Sequence, residues 1–302
     1  MRGGSEGTAL DAARQGTIYC GLRFSNGAPA APHSSLSALS PVKTFKDKTI
    51  LLTGASGGIG AAMARRLADP TVTLLLTARS EERLRAVADE AKQHGAAARV
   101  FPHDLSAPGA DAALHDAVTR EGFAPDVLVN NAGFGALGRF ENVPAAKYAE
   151  MLSLSVTNLT GLTRRCLPHM LGAEAGAGIL NVASTAAHQP VPYFAVYAAS
   201  KSYVLHFSQA LWAEYRERGV AVTCLSPGPT RTGFQSRADS QNVAFGPMES
   251  AEKVARVGLR ALLAGRRAVV SGAGNKAGAL AGRLAPRRPL LAILERAFEA
   301  MI

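Results

Sequence analysis

The sequence predicts an α/β fold: a doubly wound parallel sheet of roughly seven strands, with helices on both faces, in a single domain. Short apolar runs at residues 49–52, 71–77 and 126–129 have the composition of buried parallel strands. Segments of helical composition separate these runs, as in a chain built from βαβ units. A glycine-rich turn also joins the first run to the helix that follows it. Together these patterns favour an open parallel sheet whose binding site lies at the carboxyl ends of the strands.

The first strand, residues 49–52, is followed by a turn that contains Gly54, Gly58 and Gly60 and then by a predicted helix over residues 61–68. Glycine permits a tight turn and a close approach of the backbone to a ligand. The amino end of a helix offers unpaired N–H groups and the positive end of its dipole. A strand, a glycine turn and a helix in this order predict a pyrophosphate-binding site, although a plain glycine-rich turn would have the same composition.

The second strand, residues 71–77, ends in Ala78-Arg79 without a carboxylate. A site for NAD(H) usually has an Asp or Glu here to bind the ribose 2′-hydroxyl. An arginine can instead pair with a 2′-phosphate. The sequence therefore favours NADP(H) over NAD(H), although Arg79 would also fit as a helix cap or a solvated side chain. Glu81 and Glu82 fall in the first turn of the next helix, where negative charge is favourable in any case.

Tyr197 and Lys201 are four residues apart in a segment of helical composition, and Ser184 precedes them. Positions i and i+4 share one face of a helix. An ammonium beside a phenol favours the phenolate, so Lys201 is expected to lower the pKa of Tyr197. Such a tyrosine can exchange a proton with a carbonyl or an alcohol near neutral pH. The plainer interpretation is a half-buried tyrosine beside a solvated lysine.

Four motifs in order give the chain a family resemblance over residues 46–273. They are Thr-Gly-x-x-x-Gly-x-Gly at 53–60, Asn-Asn-Ala-Gly at 130–133, Ser184, and Tyr-x-x-x-Lys at 197–201. In this arrangement they resemble the short-chain dehydrogenase/reductase family. The resemblance implies a Rossmann-like domain that transfers a hydride between NADP(H) and a carbonyl or secondary alcohol, and an assembly as a homodimer or homotetramer.

The resemblance also implies roles for individual residues. Tyr197 would be the acid/base, Lys201 would lower its pKa and hold the ribose hydroxyls, and Ser184 would bind the substrate oxygen. Asp104, in the segment 100–105 that ends a third strand, matches the acidic residue on the adenine side, although a helix N-cap would also suit it. The expected cofactor-binding residues are Gly54, Ser56, Gly58, Ile59, Gly60, Arg79, Asp104, Asn131, Ala132, Gly133, Tyr197, Lys201, Pro227, Gly228, Thr230 and Thr232.

One position departs from the family pattern. If the helix before the catalytic strand ends at Leu167-Pro168, Ser155 occupies the place of an asparagine that organises a water for proton relay in the family. Asn158 follows three residues later, nearly one helical turn away. Three alternatives stay open: Ser155 holds the water, Asn158 reaches in its place, or the enzyme is slower.

The segments expected to line the substrate pocket are Phe134, residues 188–194 and residues 234–245. Their apolar and aromatic composition favours a medium or large apolar ketone or aldehyde. Two other functions fit the same motifs: a non-catalytic NADP-binding sensor or scaffold, and a membrane-peripheral reductase that acts on lipid substrates.

The charge of the chain is uneven. The net charge is +10, and residues 237–302 contain eleven Lys/Arg against five Asp/Glu, a net of +6. Basic clusters next to the amphipathic segment 290–302 suggest a weak membrane-surface contact, a dimer contact or a lid over an apolar substrate. Nucleic acid is not an expected partner, because no reader motif is present and few aromatic residues are interleaved with the basic ones.

The two ends of the chain differ in composition. Residues 1–44 are rich in Gly, Ala, Ser and Pro and are expected to form a disordered extension to the domain at 45–302. A start placed too far upstream and a weak targeting peptide are the competing interpretations. No apolar run reaches the length of a membrane span. Cys20, Cys166 and Cys224 are too few and too unevenly spaced for a disulfide framework or a metal site, which suits a reducing cytoplasm.

Overall fold

A seven-stranded, wholly parallel sheet forms the centre of the protein. The structure is a computed structural model that describes residues 42–234 and 248–302, and it confirms the predicted doubly wound α/β architecture. The strands of this sheet are β1 (Thr49–Thr53), β2 (Thr73–Ala78), β3 (Ala97–Pro102), β4 (Val127–Asn130), β5 (Ala177–Val182), β6 (Val220–Ser226) and β9 (Ala268–Val270). Two short strands, β7 (Thr230–Arg231) and β8 (Glu249–Ser250), form a separate parallel pair.

Helices cover both faces of the sheet. The described helices are α1 (Gly58–Leu67), α2 (Glu81–Gln93), α3 (Ala110–Arg120), α4 (Ala145–Leu152), α5 (Asn158–Leu171), α6 (Ala195–Tyr215), α7 (Ala251–Leu263), α8 (Ala273–Leu284) and α9 (Arg287–Glu299). Helices α1, α2 and α7 pack on one face, and α3, α5 and α6 on the other. No helix within the described ranges is long and apolar enough to cross a membrane.

Strand β1 shows why the strands of this sheet consist of consecutive apolar residues. Ile50 and Leu52 are fully buried under α1, α2 and α7, whereas Leu51 is fully buried on the opposite face. Successive side chains of a strand point to opposite faces, and both faces of this sheet are covered. A continuous apolar run is therefore the pattern that such a strand requires.

The strand order in the sheet is β3-β2-β1-β4-β5-β6-β9. All strands are parallel, but the chain adds β2 and β3 on one side of β1 and β4, β5, β6 and β9 on the other. From β1 the chain first builds outward through β2 and β3, and it then crosses back to place β4 on the other side of β1. The loops that follow β1 and β4 consequently leave the sheet edge in opposite directions. A crevice opens at such a switch point, beyond the carboxyl ends of the strands.

A buried polar network joins the centre of the sheet to the helices beneath it. The Asn130 amide donates to Asn181 Oδ1 at 2.9 Å and to Thr163 Oγ1 at 3.1 Å. The Asn181 amide donates to Ser208 Oγ at 2.9 Å, and Ser208 donates onward to the Val204 carbonyl at 2.6 Å. Burying these polar side chains is not costly, because each of them has a hydrogen-bond partner. The network therefore holds β4 and β5 against α5 and α6.

Several predicted boundaries differ from the observed ones by a few residues, and two of these differences bear on the site. Strand β3 covers Ala97–Pro102 and ends before residue 105, so Asp104 lies beyond the strand. Helix α5 does not end at Pro168 but continues to Leu171. Pro168 and Arg164, the residue one turn earlier, both lie on the exposed side of the helix. The carbonyl that loses its partner to the proline can therefore reach water, which makes the proline tolerable there.

The first described residue, Val42, packs against the domain. Val42 is fully buried, and its backbone N–H donates to the Ala177 carbonyl at 3.4 Å. The packed part of the chain therefore begins no later than residue 42, three residues before the predicted boundary at 45. Residues 1–41, which make up most of the predicted extension, lie outside the described ranges.

Replacing Asn181 with alanine should destabilise the protein strongly. The change removes the acceptor of one Asn130 N–H and the donor to Ser208 Oγ at a buried site, and it leaves a cavity there, so we expect a loss of about 2 kcal/mol or more in the free energy of unfolding. Urea unfolding measures this loss. Asn142→Ala, at an exposed position, is the control and should change little. A loss in Asn181→Ala no larger than the control's would contradict a structural role for the network.

Candidate active site

A cavity of about 1220 Å³ lies at the carboxyl ends of the strands, at the switch between β1 and β4. It brings together residues that the sequence distributes over almost 180 positions. The predicted site residues that line it are Gly54, Ser56, Gly58, Ile59, Arg79, Asp104, Asn131, Ala132, Gly133, Ser184, Tyr197, Lys201, Pro227, Gly228, Thr230 and Thr232. Three other predicted site residues, Gly60, Ser155 and Asn158, do not line it.

The glycine turn between β1 and α1 depends on the absence of side chains. Gly54 and Gly58 have φ angles of 67° and 54°, in the left-handed region that favours glycine. A Cβ on Gly60 would overlap the Gly54 carbonyl oxygen and approach the Asn131 amide to 2.6 Å. Gly60 thus lets the first turn of α1 pack under the loop, while the cavity side of the turn stays open. This geometry fits the pyrophosphate of a dinucleotide at the amino end of α1.

The Asn131 side chain braces the glycine turn from below. Its amide donates to the carbonyl oxygens of Thr53 and Gly54 at 3.0 and 3.2 Å. The backbone N–H groups of Asn131 and Ala132 donate to Thr53 Oγ1 at 2.9 and 3.0 Å. The Asn-Asn-Ala-Gly segment therefore holds the end of β4 against the end of β1 and leaves Gly133 at the cavity surface.

The end of β2 presents two arginines to the cavity, where the sequence predicted one. Arg79 and Arg83 both line it and are exposed. Asp104 lies beside them, and it does not cap α3, because that helix begins after Gly109. Burial alone would raise the pKa of Asp104, but hydrogen bonds from Ser106 and the charge of Arg79 hold it below its usual value. Arg83 was missed because it lies in α2, one turn beyond the strand end that the family pattern emphasises.

The loop after β6 forms another wall of the cavity and contacts the glycine turn. Thr232 lies against this turn, since a Cβ on Gly58 would be 2.9 Å from its methyl group. Thr230 Oγ1 donates to the Gly228 carbonyl at 2.8 Å, which folds the segment back on itself. Within the described ranges no group of three His, Cys, Asp or Glu side chains is arranged to hold a metal ion.

Ser184, Tyr197 and Lys201 converge on one wall of the cavity. Ser184 lies two residues beyond β5 and caps a short 3₁₀ turn, Thr185–His188, by accepting a hydrogen bond from the Ala186 N–H at 3.1 Å. Its hydroxyl is hydrogen-bonded to the phenol of Tyr197, which is 7% exposed. Lys201 Nζ donates to the Val182 carbonyl at 3.0 Å and lies 5.8 Å from the centre of the Tyr197 ring. A Cβ on Gly133 would be 3.1 Å from this ammonium, so the glycine leaves room for it.

Burial sets the pKa values of this pair in a way the sequence did not predict. Burial raises the pKa of Tyr197 to about 12, and the hydrogen bond with Ser184 opposes this only in part. Burial likewise lowers the pKa of Lys201 to about 8. The expectation that Lys201 lowers the pKa of Tyr197 is thus wrong for the protein alone, because desolvation of the phenolate outweighs the attraction of an ammonium that lies beside the ring. At neutral pH the phenol keeps its proton and the ammonium keeps its charge.

Asn158 has a structural role, because hydrogen bonds within the protein engage its side-chain amide. Its amide nitrogen donates to the carbonyls of Leu105 and Ala107 at 2.8 and 2.7 Å and to Ser153 Oγ at 3.1 Å. Its Oδ1 accepts from the Asp111 N–H at 3.4 Å. These contacts tie the start of α5 to the loop after β3, so the alternative in which Asn158 replaces the family asparagine is not supported.

Ser155 is the polar side chain that this region leaves without a partner. It lies in a π-helical turn, Ser153–Thr157, between α4 and α5, and this turn packs against α6. The side chain is 1% exposed, and among the described residues its Oγ has no hydrogen-bond partner. π turns of this kind occur frequently at functional sites. An unpaired buried hydroxyl is costly unless something else satisfies it, and a water is the simplest group that could.

The substrate end of the cavity is apolar. Its wall includes Phe134, Val191 and Phe194, as the sequence predicted, and the ring of Phe194 stacks on Tyr197 with centroids 4.3 Å apart. The C-terminal helix α9 contributes Leu294 and Phe298, which no motif had indicated. Within residues 188–194, His188 is an exception, because it faces a different cavity. Of residues 234–245, Phe234 lines the wall and the remainder lies outside the described ranges.

Comparison with protein-family models gives a match to the short chain dehydrogenase family over residues 48–243. Among individual proteins, the chain is 35% identical over 190 residues to sulfoacetaldehyde reductase 2 of Chromohalobacter salexigens. That match covers 61% of this chain and 73% of the reductase.

Solved structures show the same similarity. A short-chain dehydrogenase from Sphingobium yanoikuyae in complex with NADPH is 29% identical, with a TM-score of 0.70 over 78% of this chain and 92% of that one. A short-chain dehydrogenase/reductase from Burkholderia phymatum in complex with NAD is 25% identical, with a TM-score of 0.69 over 78% of this chain and 92% of that one. Proteins similar to this chain therefore bind either dinucleotide.

Proposed function

Because the chain belongs to the short-chain dehydrogenase/reductase family of NAD(P)-dependent oxidoreductases, we propose that it reduces the carbonyl group of a medium or large apolar ketone or aldehyde with NADPH. The reverse reaction would oxidise the corresponding secondary or primary alcohol. The observation that carries the proposal is the convergence of Ser184, Tyr197 and Lys201 on a cavity that also contains the glycine turn.

The preference for NADP(H) rests on the end of β2. Arg79 and Arg83 are two cationic side chains at the place where a ribose 2′-phosphate would lie, and no carboxylate ends the strand. Guanidinium groups bind phosphate oxygens through paired, charge-assisted hydrogen bonds. The glycine turn would hold the pyrophosphate, Lys201 the nicotinamide ribose, and the loop containing Thr230 and Thr232 the nicotinamide end.

The residues around the reacting carbonyl would handle its proton. Bound NADPH supplies the hydride that reduces the carbonyl carbon. Ser184 donates a hydrogen bond to the carbonyl oxygen, where negative charge develops. Tyr197 transfers its phenolic proton to that oxygen and completes the alcohol. The charged Lys201 stabilises the phenolate that remains, and the pKa of about 12 keeps Tyr197 protonated at neutral pH, which favours the reductive direction.

The apolar wall supports the choice of substrate. Phe134, Val191, Phe194, Leu294 and Phe298 surround the end of the cavity next to Tyr197. An apolar substrate body gains free energy when these surfaces leave water, at about 25 cal/mol per Å². The name of the sulfoacetaldehyde reductase describes a small anionic substrate, whereas apolar side chains form the wall next to Tyr197 in this chain.

We also propose two partners besides the substrate. Family members are commonly oligomeric, and a homodimer or homotetramer is the expected assembly. A weak contact with an anionic membrane surface is supported by Leu280, Leu284 and Ile293, which are 58%, 75% and 66% exposed on α8 and α9 beside several arginines. Such a contact would place a reductase close to lipid-derived carbonyls, and co-sedimentation with phosphatidylglycerol vesicles at low and high salt tests it.

Replacing Tyr197 with phenylalanine should abolish most of the turnover. The change removes the proton donor but keeps the ring that packs on Phe194, so kcat should fall by about 100-fold or more while the affinity for NADPH is retained. The decrease in NADPH absorbance with a panel of apolar ketones and aldehydes measures kcat, and fluorescence titration measures NADPH binding. Tyr203→Phe, on the same helix but outside the cavity, is the matched control.

Two results would contradict the proposal. Near-normal turnover in Tyr197→Phe would remove this residue from the mechanism. Tight NADPH binding by the unaltered protein, without turnover of any carbonyl in the panel, would favour the alternative of a nucleotide-binding sensor or scaffold.

Replacing Arg79 with aspartate should shift the cofactor preference from NADPH toward NADH. The change removes a partner of the 2′-phosphate and supplies one for a 2′-hydroxyl, so the ratio of kcat/KM for the two cofactors should move by about tenfold or more. Arg85→Asp, which reverses an exposed charge in α2 outside the cavity, controls for net charge. Equal affinity of the unaltered protein for NADH and NADPH would overturn the assignment.

Substitutions of Ser155 test whether its hydroxyl holds a relay water. Ser155→Ala should lower kcat without weakening NADPH binding or reducing stability, because the hydroxyl makes no hydrogen bond to the described residues. Ser155→Asn restores the residue typical of the family and should retain or increase kcat. Asn158→Ala, in contrast, should lower stability by about 1 kcal/mol or more. If neither Ser155 variant changes kcat or its pH profile, this residue has no part in proton transfer.

A further inference from the structure

A second cavity, of about 290 Å³, lies between α6 and the C-terminal helices α8 and α9, outside the candidate active site. Its wall is formed by side chains from four parts of the chain. The lining residues are Ala187, His188, Gln189, Pro190, Ser202, Leu205, His206, Gln209, Arg283 and Arg287.

The lining is cationic and contains no carboxylate. It includes two arginines, Arg283 and Arg287, and two histidines, His188 and His206, but no Asp or Glu. Within the described ranges no ion pair involves Arg283 or Arg287. The recorded polar contact of Arg287 is a hydrogen bond from Nη1 to the Gly282 carbonyl at 3.1 Å, which leaves most of its guanidinium donors unused.

His188 is the partly buried imidazole of this cavity, and its pKa responds to the neighbouring charge. It lies in the 3₁₀ turn after Ser184, and its Nε2 is 3.2 Å from Ser226 Oγ, while Nδ1 is buried without a hydrogen-bond partner in the described structure. Burial, and next the neighbouring Arg283 and His206, lower the pKa of His188. The two arginine charges line this cavity without a carboxylate beside them, and a bound anion would offset them.

We propose that this second cavity is a binding site for a phosphate monoester, with Arg283 and Arg287 as its principal ligands. Guanidinium groups bind phosphate oxygens in pairs, and a monoester carries up to two negative charges and three terminal oxygens. Gln189 and Gln209 add neutral donors around the same space. The volume exceeds that of a phosphate group, so there is room for part of the attached molecule. The phosphate could belong to a soluble metabolite or to a lipid headgroup.

The site is separate from the nucleotide-binding region but adjoins the catalytic wall. Arg79, Arg83 and the glycine turn line the main cavity and not this one. Gln189 lines both cavities, and Ser202 Oγ holds the Ala187 carbonyl at 2.8 Å in the turn that begins after Ser184. A bound phosphate would therefore contact the segment that positions Ser184, from the side opposite the substrate.

Calorimetric titration of the full chain with glycerol 3-phosphate, in the presence of saturating NADP⁺, tests the site. Potassium chloride at the same ionic strength gives the nonspecific background. Arg283→Glu reverses a charge that lines the cavity, and Arg288→Glu reverses an exposed charge in α9 that does not. We expect Arg283→Glu to weaken binding by about tenfold or more and Arg288→Glu by no more than about twofold. The comparison does not depend on turnover, so the site can be supported even if the proposed reaction fails.

Vesicles distinguish a soluble ligand from a headgroup. Phosphatidic acid carries a phosphate monoester, whereas phosphatidylglycerol carries a diester, so a monoester site should favour phosphatidic acid over phosphatidylglycerol vesicles. Binding of glycerol 3-phosphate that is lost in Arg283→Glu supports the site with a soluble ligand. Preference for phosphatidic acid, with the same dependence on Arg283, supports it with a lipid headgroup. Absence of both, or equal losses in Arg283→Glu and Arg288→Glu, would overturn the proposal.

Discussion

The contact between the ends of β1 and β4 is the constraint on which the candidate site depends. Thr53 Oγ1 accepts the backbone N–H groups of Asn131 and Ala132 and donates to the Val129 carbonyl at 3.3 Å. The Asn131 amide holds the first carbonyls of the glycine turn. These bonds fix the two loops that diverge at the switch point of the sheet. The glycine turn, Gly133 and the ammonium of Lys201 beside it all take their positions from this contact.

Burial is also the main cause of the pKa shifts of Tyr197 and Lys201. The same low-dielectric surroundings raise the pKa of Tyr197 to about 12 and lower that of Lys201 to about 8, because each charged form loses solvation. The two pKa values therefore move in opposite directions, and each shift has desolvation as its main cause. At neutral pH this leaves a protonated phenol close to a charged ammonium, which is the arrangement that the proposed proton donation requires. The apolar side chains packed around Tyr197 contribute to the burial that sets its pKa.

The C-terminal helices α8 and α9 contribute side chains to both cavities and to the protein surface. Leu294 and Phe298 of α9 face the main cavity, Arg283 and Arg287 face the second one, and Leu280, Leu284 and Ile293 face solvent. The basic character of this part of the chain is thus divided among surfaces with different chemistry. An exposed apolar strip and a cationic cavity on neighbouring helices give this part of the chain two separate means of contact with its surroundings.

The sequence by itself determined the features that depend on local spacing. Strand-forming runs, the glycine turn and the four-residue interval from Tyr197 to Lys201 predict the fold, the family and most of the candidate site residues that line the cavity, because each is a property of neighbouring residues. Only the tertiary structure decided questions that depend on what lies across the fold. Hydrogen bonds join Asn158 to the loop after β3, and the packing of the π turn leaves Ser155 Oγ without a hydrogen-bond partner among the described residues. The tertiary structure also set the pKa of Tyr197 by burial, a quantity that arises from residues distant in sequence and that no local pattern records.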